Sequence, residues 1–409
     1  MGEGATWLGS TTIRSFILLS LLLAGPSVAA DPATVAVAFD QKTIRPVLLE
    51  GLADRATGRE VTADDPVRIA SISKLVTALG VMRLVDQGTL TLDRDVSDYL
   101  GWRLRNPAFP DAPITLRLLL SHQSSLRDGG DLYIIPLDLT LQDRLADLAM
   151  WNTEHGPKSG WFAYSNINFP VVASIIERVT GERFDAAISR LVLKPLKLDA
   201  CFNWGAGCSA DAVRNAVVLY RANGDVARDD LKGQAPLCPV VPAQDGSCDL
   251  SRYQPGANGS LFSPQGGLRI SMNDLARIGQ ILANRDKTFL SAHSYRELTR
   301  AQWQAKRGPK GRNGGLGEYG ESNGFFCSYG LGLQLIGSGA PGCHDDLFGD
   351  RTRRMGHSGE AYGLRSGLWW NPRTKRGVAF FTSAVPDDAP IGRSAFTARE
   401  EALVARVQR

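Results

Sequence analysis

Ser71 and Lys74 form the only Ser-x-x-Lys in the chain, and they stand at the head of an apolar-periodic stretch running from Val67 to Gly88. A serine hydroxyl attacks a carbonyl once a base takes its proton, and a side chain three residues further along a helix lies within reach of it. The unpaired N–H groups and partial positive charge of a helix N-terminus favour negative charge developing on a nearby oxygen and help keep an amine unprotonated. The pair therefore reads as the nucleophile and base of a catalytic serine. Leu75, Leu79, Met82 and Val85 recur at helical spacing behind it and Gly88 supplies a stop, which predicts a buried helix with both reactive residues at its start.

Two further patterns carry groups that such a serine needs. Tyr164-Ser165-Asn166 is the only Tyr-x-Asn in the chain; it follows a Gly/Pro-rich approach and precedes a predicted helix from Val171 to Thr180 closed by Gly181. A phenol near Lys74 can share its proton and pass it to a leaving group, while the Asn166 amide can hold a substrate carbonyl. His357-Ser358-Gly359 precedes two strand-like runs, Leu364 to Trp370 and Gly377 to Ser383, and its small residues let a substrate lie along a strand. Lys158-Ser159-Gly160 and Ser271-Met272-Asn273 offer similar letters. The first reads as a turn and the second as a helix cap.

Taken together, these motifs resemble the serine β-lactamase and penicillin-binding family, especially its class C branch with the related esterases and D-amino-acid peptidases. The runs Ile114 to Asp128 and Ser263 to Ala276 extend the resemblance over nearly the whole chain past residue 30. It implies Ser71 as the acylated nucleophile with Lys74 and Tyr164 as proton carriers, and Asn166, His357, Ser358 and Gly359 as substrate contacts. The backbone N–H groups of Ser71 and Glu360 would form the oxyanion hole. His357 stands where a lactamase has lysine. A histidine is neutral or charged near pH 7, so it anchors a substrate carboxylate more weakly. The stretch between Tyr164 and His357 is longer than usual in the family, leaving insertions around 200–255 and 300–350.

The elements that must position these groups are legible in outline. Strand-like Thr34 to Phe39 and Val47 to Ala53 come early, strands from Leu364 to Ser383 come late, and Ala395 to Val407 reads as a closing helix. The expected fold is α/β of the α+β kind: an antiparallel sheet flanked by helices, with an inserted, mainly helical domain. Residues 31–75 and 255–409 would make the sheet-plus-helix part and 76–254 the helical part, with the site between them.

Composition is that of an ordinary globular protein, with 43% apolar and 22% charged residues. Residues 1–30 read as a signal peptide: Arg14, an apolar run from Phe16 to Ala24, and small residues Val28-Ala29-Ala30. This predicts an exported protein, periplasmic or secreted, with no membrane span after cleavage. Six cysteines allow fifteen pairings; closing the shortest loops favours Cys201 with Cys208, Cys238 with Cys248 and Cys327 with Cys343. No metal motif occurs and no cofactor is expected. The formal charge of +4 is spread along the chain and implies no nucleic-acid partner. The leading expectation is a hydrolase of small esters or D-amino-acid amides and peptides acting through an acyl-enzyme. A true class C β-lactamase and a non-catalytic binding protein on the same fold are the alternatives.

Overall fold

The computed structural model describes residues 32–308, 311–317 and 320–408; the leader expected over residues 1–30 lies outside them. The strands of the main sheet are β1 (Thr34–Phe39), β2 (Ile44–Glu50), β3 (Trp303–Gln304), β4 (Ser328–Tyr329), β5 (Gln334–Ile336), β6 (Arg354–Ala361), β7 (Leu364–Trp370) and β8 (Gly377–Thr382). They are ordered β3-β4-β5-β6-β7-β8-β1-β2, and every neighbouring pair is antiparallel. The first and last strands among the described residues, β1 and β8, thus pair with each other inside one sheet.

Side chains alternate across a strand, and here each face feeds its own core. Val35, Val37, Phe39, Leu368, Ala379 and Phe381 join the large core containing helices α1 (Ser73–Asp86), α2 (Asn168–Thr180) and α3 (Met272–Asn284). On the opposite face, Ala36, Trp369, Val378 and Phe380 pack with Phe396, Leu403 and Val404 of the closing segment and its helix α4 (Ala398–Val407). Covering on both faces is why β1 and β8 read as nearly unbroken apolar runs.

Boundaries differ from the sequence expectation where local chemistry intervenes. The strand expected over Val47 to Ala53 is broken at Gly51, whose φ of 81° is left-handed; a Cβ there would lie 2.4 Å from the Pro32 carbonyl oxygen. Helix α2 begins at Asn168 rather than Val171, because Pro170 is tolerated in a first turn, where its missing N–H has no partner to lose. Helix α4 begins only after Thr397, which forms a capping box with Glu400.

The six cysteines form three disulfides, Cys201–Cys208, Cys238–Cys248 and Cys327–Cys343. The last ties the end of a segment that leaves the sheet edge after β3 and returns at β4 to the connection between β5 and β6. Within that segment Gly314–Gly317 pairs in parallel with Phe162–Ala163, immediately before the Tyr-x-Asn loop. No helix among the described residues is long and apolar enough to cross a membrane.

Candidate active site

Ser71 lies in a single 3₁₀ turn, Ala70–Ile72, that runs directly into α1. Ala70 has φ 47°, an uncommon conformation for a residue with a Cβ, and it turns the chain sharply from the short strand Val67–Arg68 into the helix. Strand β6 crosses this turn closely. A Cβ on Gly359 would lie 2.2 Å from the Ile69 carbonyl oxygen, the same oxygen that accepts a hydrogen bond from Ser366 Oγ of β7 at 3.0 Å. Only glycine lets the strand lie so near the turn that carries Ser71.

Lys74 is fully buried in the first turn of α1. Its Nζ lies 3.0 Å from Ser71 Oγ, 2.8 Å from Asn166 Oδ1 and 3.0 Å from the Gln265 carbonyl oxygen, with the Tyr164 ring 4.7 Å away. The last two oxygens can only accept. A neutral amine that donates to both has its lone pair left for the Ser71 hydroxyl, and an ammonium fills the same three directions with N–H bonds. The Gln265 carbonyl is aimed by the loop before Gly266-Gly267, where Thr77 Oγ1 donates to the Pro264 carbonyl and the Leu268 N–H donates to Ser73 Oγ. Asn166 is fixed from its other end, donating through Nδ2 to Asp128 Oδ2 at 3.0 Å. Asp128 also accepts from Ser165 Oγ and the Ile167 N–H, and burial raises its pKa.

Tyr164 is clamped by aromatic rings. His122 stacks on it at 4.4 Å and Phe326 at 4.8 Å, within a cluster that includes Phe162, Trp303 and Tyr329. Its backbone N–H donates to the Leu316 carbonyl, so the segment around 300–350 takes part in holding the Tyr-x-Asn loop.

His357 and Ser358, consecutive on β6, are held by a registered pair on the neighbouring strands, Tyr329 of β4 and Gln334 of β5. The Tyr329 hydroxyl lies 2.8 Å from His357 Nε2, and Gln334 Oε1 accepts from both the Ser358 N–H and its hydroxyl. His357 Nδ1 lies 2.5 Å from the Ser358 carbonyl oxygen, so both ring nitrogens face protein partners. Burial, reinforced by the nearby Lys74, lowers the His357 pKa to about 3. The Ser358 N–H points away from β7 toward Gln334; the two-residue period of a strand turns the Glu360 N–H to the same edge. The Glu360 side chain is exposed and ion-paired with Arg365.

Ser71, Tyr164, His357, Ser358 and Glu360 open onto one cleft of about 750 Å³. Asn166 and Lys74 lie behind them, whereas none of the six cysteines lines it. Phe325, Phe326, Tyr362 and Ile391 give the cleft apolar walls. Among the described residues no three His, Cys, Asp or Glu side chains cluster as metal ligands would. Sequence reasoning passed over His122, Asp128, Gln265, Tyr329 and Gln334. His122 and Asp128 stood in one run already singled out, as polar residues ending a leucine-rich turn, and Gln265 in another, just before its glycine pair; Tyr329 and Gln334 carry no local signal.

A family model described as Beta-lactamase matches residues 26–401. The chain belongs to the beta-lactamase family. Within it, esterase EstB of Burkholderia gladioli is 35% identical over 247 residues, covering 56% of this chain and 59% of the esterase. Penicillin-binding protein 4 of Amycolatopsis lactamdurans is 32% identical over 155 residues, covering 37% of this chain and 39% of that protein. Both matches thus span less than two thirds of the relatives' own length. Among solved structures, a class C beta lactamase from Rhodobacter sphaeroides superposes with a TM-score of 0.63 at 17% identity, covering 92% of this chain and 94% of that one. D-amino acid amidase from Ochrobactrum anthropi SV3 gives 0.62 at 20%, covering 92% of each. The antiparallel sheet flanked by helices is therefore the fold of the beta-lactamase family.

Proposed function

We propose that this chain is an exported serine hydrolase that forms an acyl-enzyme with small esters or amides whose reacting carbonyl is not flanked by a carboxylate. The observation that carries the reading is the seating of Lys74: 3.0 Å from Ser71 Oγ, with two pure acceptors taking its other directions. In the mechanism, Ser71 Oγ attacks the carbonyl carbon as its proton passes to Lys74. The oxyanion is met by the backbone N–H groups of Ser71 and Glu360, the proton is returned to the leaving group by way of Lys74 and Tyr164, and water then releases the acyl group. Asn166 serves first to hold Lys74. Ser358 and Gly359 offer a smooth strand along which the substrate lies. Three disulfides support an oxidising compartment.

The preference for a neutral acyl group follows from His357, which stands where a fixed cation would receive a carboxylate and is held uncharged. Losing a charge-assisted hydrogen bond costs about 1.5–3 kcal/mol, or roughly tenfold to a hundredfold in kcat/KM. The similarity to esterase EstB supports the ester over the lactam. The test compares kcat/KM for a nitrophenyl ester, a D-alanyl amide and a chromogenic cephalosporin on one preparation. The ester or the amide is expected to lead. A cephalosporin turned over faster than both makes a β-lactamase of it, and no turnover with any of them, together with no acylation of Ser71, leaves a binding protein.

A further inference from the structure

We propose that Tyr329 is a positioning residue that sets substrate charge preference: it closes a polarised chain of hydrogen bonds that fixes His357 as a neutral imidazole. The chain starts at the Ser165 backbone N–H, which can only donate; it points at His122 Nδ1 at 3.1 Å. His122 therefore carries its proton on Nε2, which lies 3.3 Å from the Tyr329 hydroxyl. Having accepted from His122, that hydroxyl has its own proton to place, and His357 Nε2 at 2.8 Å is the acceptor in front of it. The chain ends at the Ser358 carbonyl, which can only accept, so His357 carries its proton on Nδ1. With a donor fixed at one end and an acceptor at the other, all the bonds run one way and both imidazoles are neutral.

A second proton on His357 would have to enter at Nε2. The Tyr329 hydroxyl would then face two N–H groups and lose the acceptor for its own proton, in a place where Tyr329, His122 and His357 are all buried. A buried donor without an acceptor is costly, so the chain resists charging beyond what burial alone does. The groups around it push the same way. Helix α1 presents the Lys74 amine, the Tyr-x-Asn loop presents the Tyr164 ring, and β5 presents the uncharged Gln334. Of the carboxylates on these elements, Asp128 is engaged by Ser165, Asn166 and Ile167, while Glu360 is paired outward with Arg365. A carboxylate entering the cleft at β6 thus meets an imidazole that has no charge to offer it.

The kinetic arm of the test rests on the serine-hydrolase reading; the spectroscopic arm does not. Tyr329→Phe keeps the ring among Phe162, Trp303 and Phe326 and removes only the hydroxyl. The readout is the ratio of kcat/KM for a nitrophenyl hemisuccinate to that for a nitrophenyl butyrate from about pH 5 to about pH 8. The wild-type ratio is expected to show no histidine titration. In Tyr329→Phe it should rise about twofold to tenfold toward the acid end, as one pKa unit of relief on His357 would give with a tenfold to hundredfold gain from the charged form, and Tyr329→Phe/His357→Gln should lose that rise. A ratio in folded Tyr329→Phe that tracks wild type at every pH overturns the proposal. Independently, ¹⁵N-histidine NMR of the wild-type protein near pH 6 should find His122 protonated on Nε2 and His357 on Nδ1. An imidazolium at either position, or the opposite tautomers, overturns it whatever the protein hydrolyses.

Discussion

Asn166 donates to Asp128 Oδ2 at 3.0 Å, and this bond fixes which end of the Asn166 amide faces Lys74. Lys74, the proposed base, is thus oriented at one remove by a carboxylate that touches neither Ser71 nor the cleft. Asp128→Ala strands three buried donors, on Ser165, Asn166 and Ile167, and frees the amide to turn its NH₂ toward the amine. We expect kcat to fall at least tenfold with KM little changed, and stability to drop by about 1–3 kcal/mol per stranded group at most. Steady-state kinetics with parallel urea unfolding checks both. An unchanged kcat in a folded variant removes Asp128 from the account.

Removal of the proposed nucleophile is the plainest case. Ser71→Ala should retain the wild-type fold and lose turnover by about a thousandfold or more, and Lys74→Ala should do nearly as much damage because it removes the amine 3.0 Å from Ser71 Oγ. Intact-mass spectrometry after incubation with a slow ester should show one acyl group on the wild type and none on Ser71→Ala.

Gly359 makes a geometric prediction. A methyl group there must push the Ile69 carbonyl, 2.2 Å away, or the Ser366 hydroxyl, 2.4 Å away, and so separate β6 from the turn that carries Ser71. Gly359→Ala should cost about 1–3 kcal/mol and slow acylation more than it weakens substrate binding. Pre-steady-state acylation rates measure this, and a variant as stable and as fast as wild type would show that the close approach is dispensable.

For pH, the buried His357 takes up a proton only near pH 3 when folded, against 6.5 for a free imidazole. Across that interval the unfolded chain binds the proton and the native protein does not. The His357 contribution to stability is thus whole above pH 6.5 and is lost as pH falls toward 3, at about 1.4 kcal/mol per pH unit. Glu177, pushed up to about 7 by burial, binds its proton in the native state over part of the same range and acts in the opposite direction. The comparison is therefore between wild type and His357→Gln: denaturant unfolding from pH 7 down to about pH 4.5 should fall less steeply in the variant. Equal slopes would mean that native His357 is already charged.

What the sequence disclosed depended on how local each cause is. Ser71 and Lys74 are one helical turn apart, so their spacing carries their geometry. β1, β7 and β8 are buried on both faces, so their runs are apolar enough to see. The hydrogen-bond chain through His122, Tyr329 and His357 joins three distant segments, and Tyr329 looks like any core tyrosine until β4 is seen to pair with β5. Gly51 broke an expected strand for a reason visible only with Pro32 beside it. The role of Asp128 stayed hidden because a carboxylate in a loop is ordinarily a solvated turn residue.

The parallel pairing of Gly314–Gly317 with Phe162–Ala163 constrains how this cleft can change. The same excursion from the sheet edge that places Phe325 and Phe326 in the cleft wall also stacks Phe326 on Tyr164 and sets the height of that tyrosine over Lys74. A graft or deletion there meant only to widen the cleft would also shift Tyr164 against Lys74, and with it the proposed proton transfer. Changes of substrate range that leave the rate alone should instead arise across the cleft, at Tyr362 or Ile391, where the walls have no share in holding the Tyr-x-Asn loop.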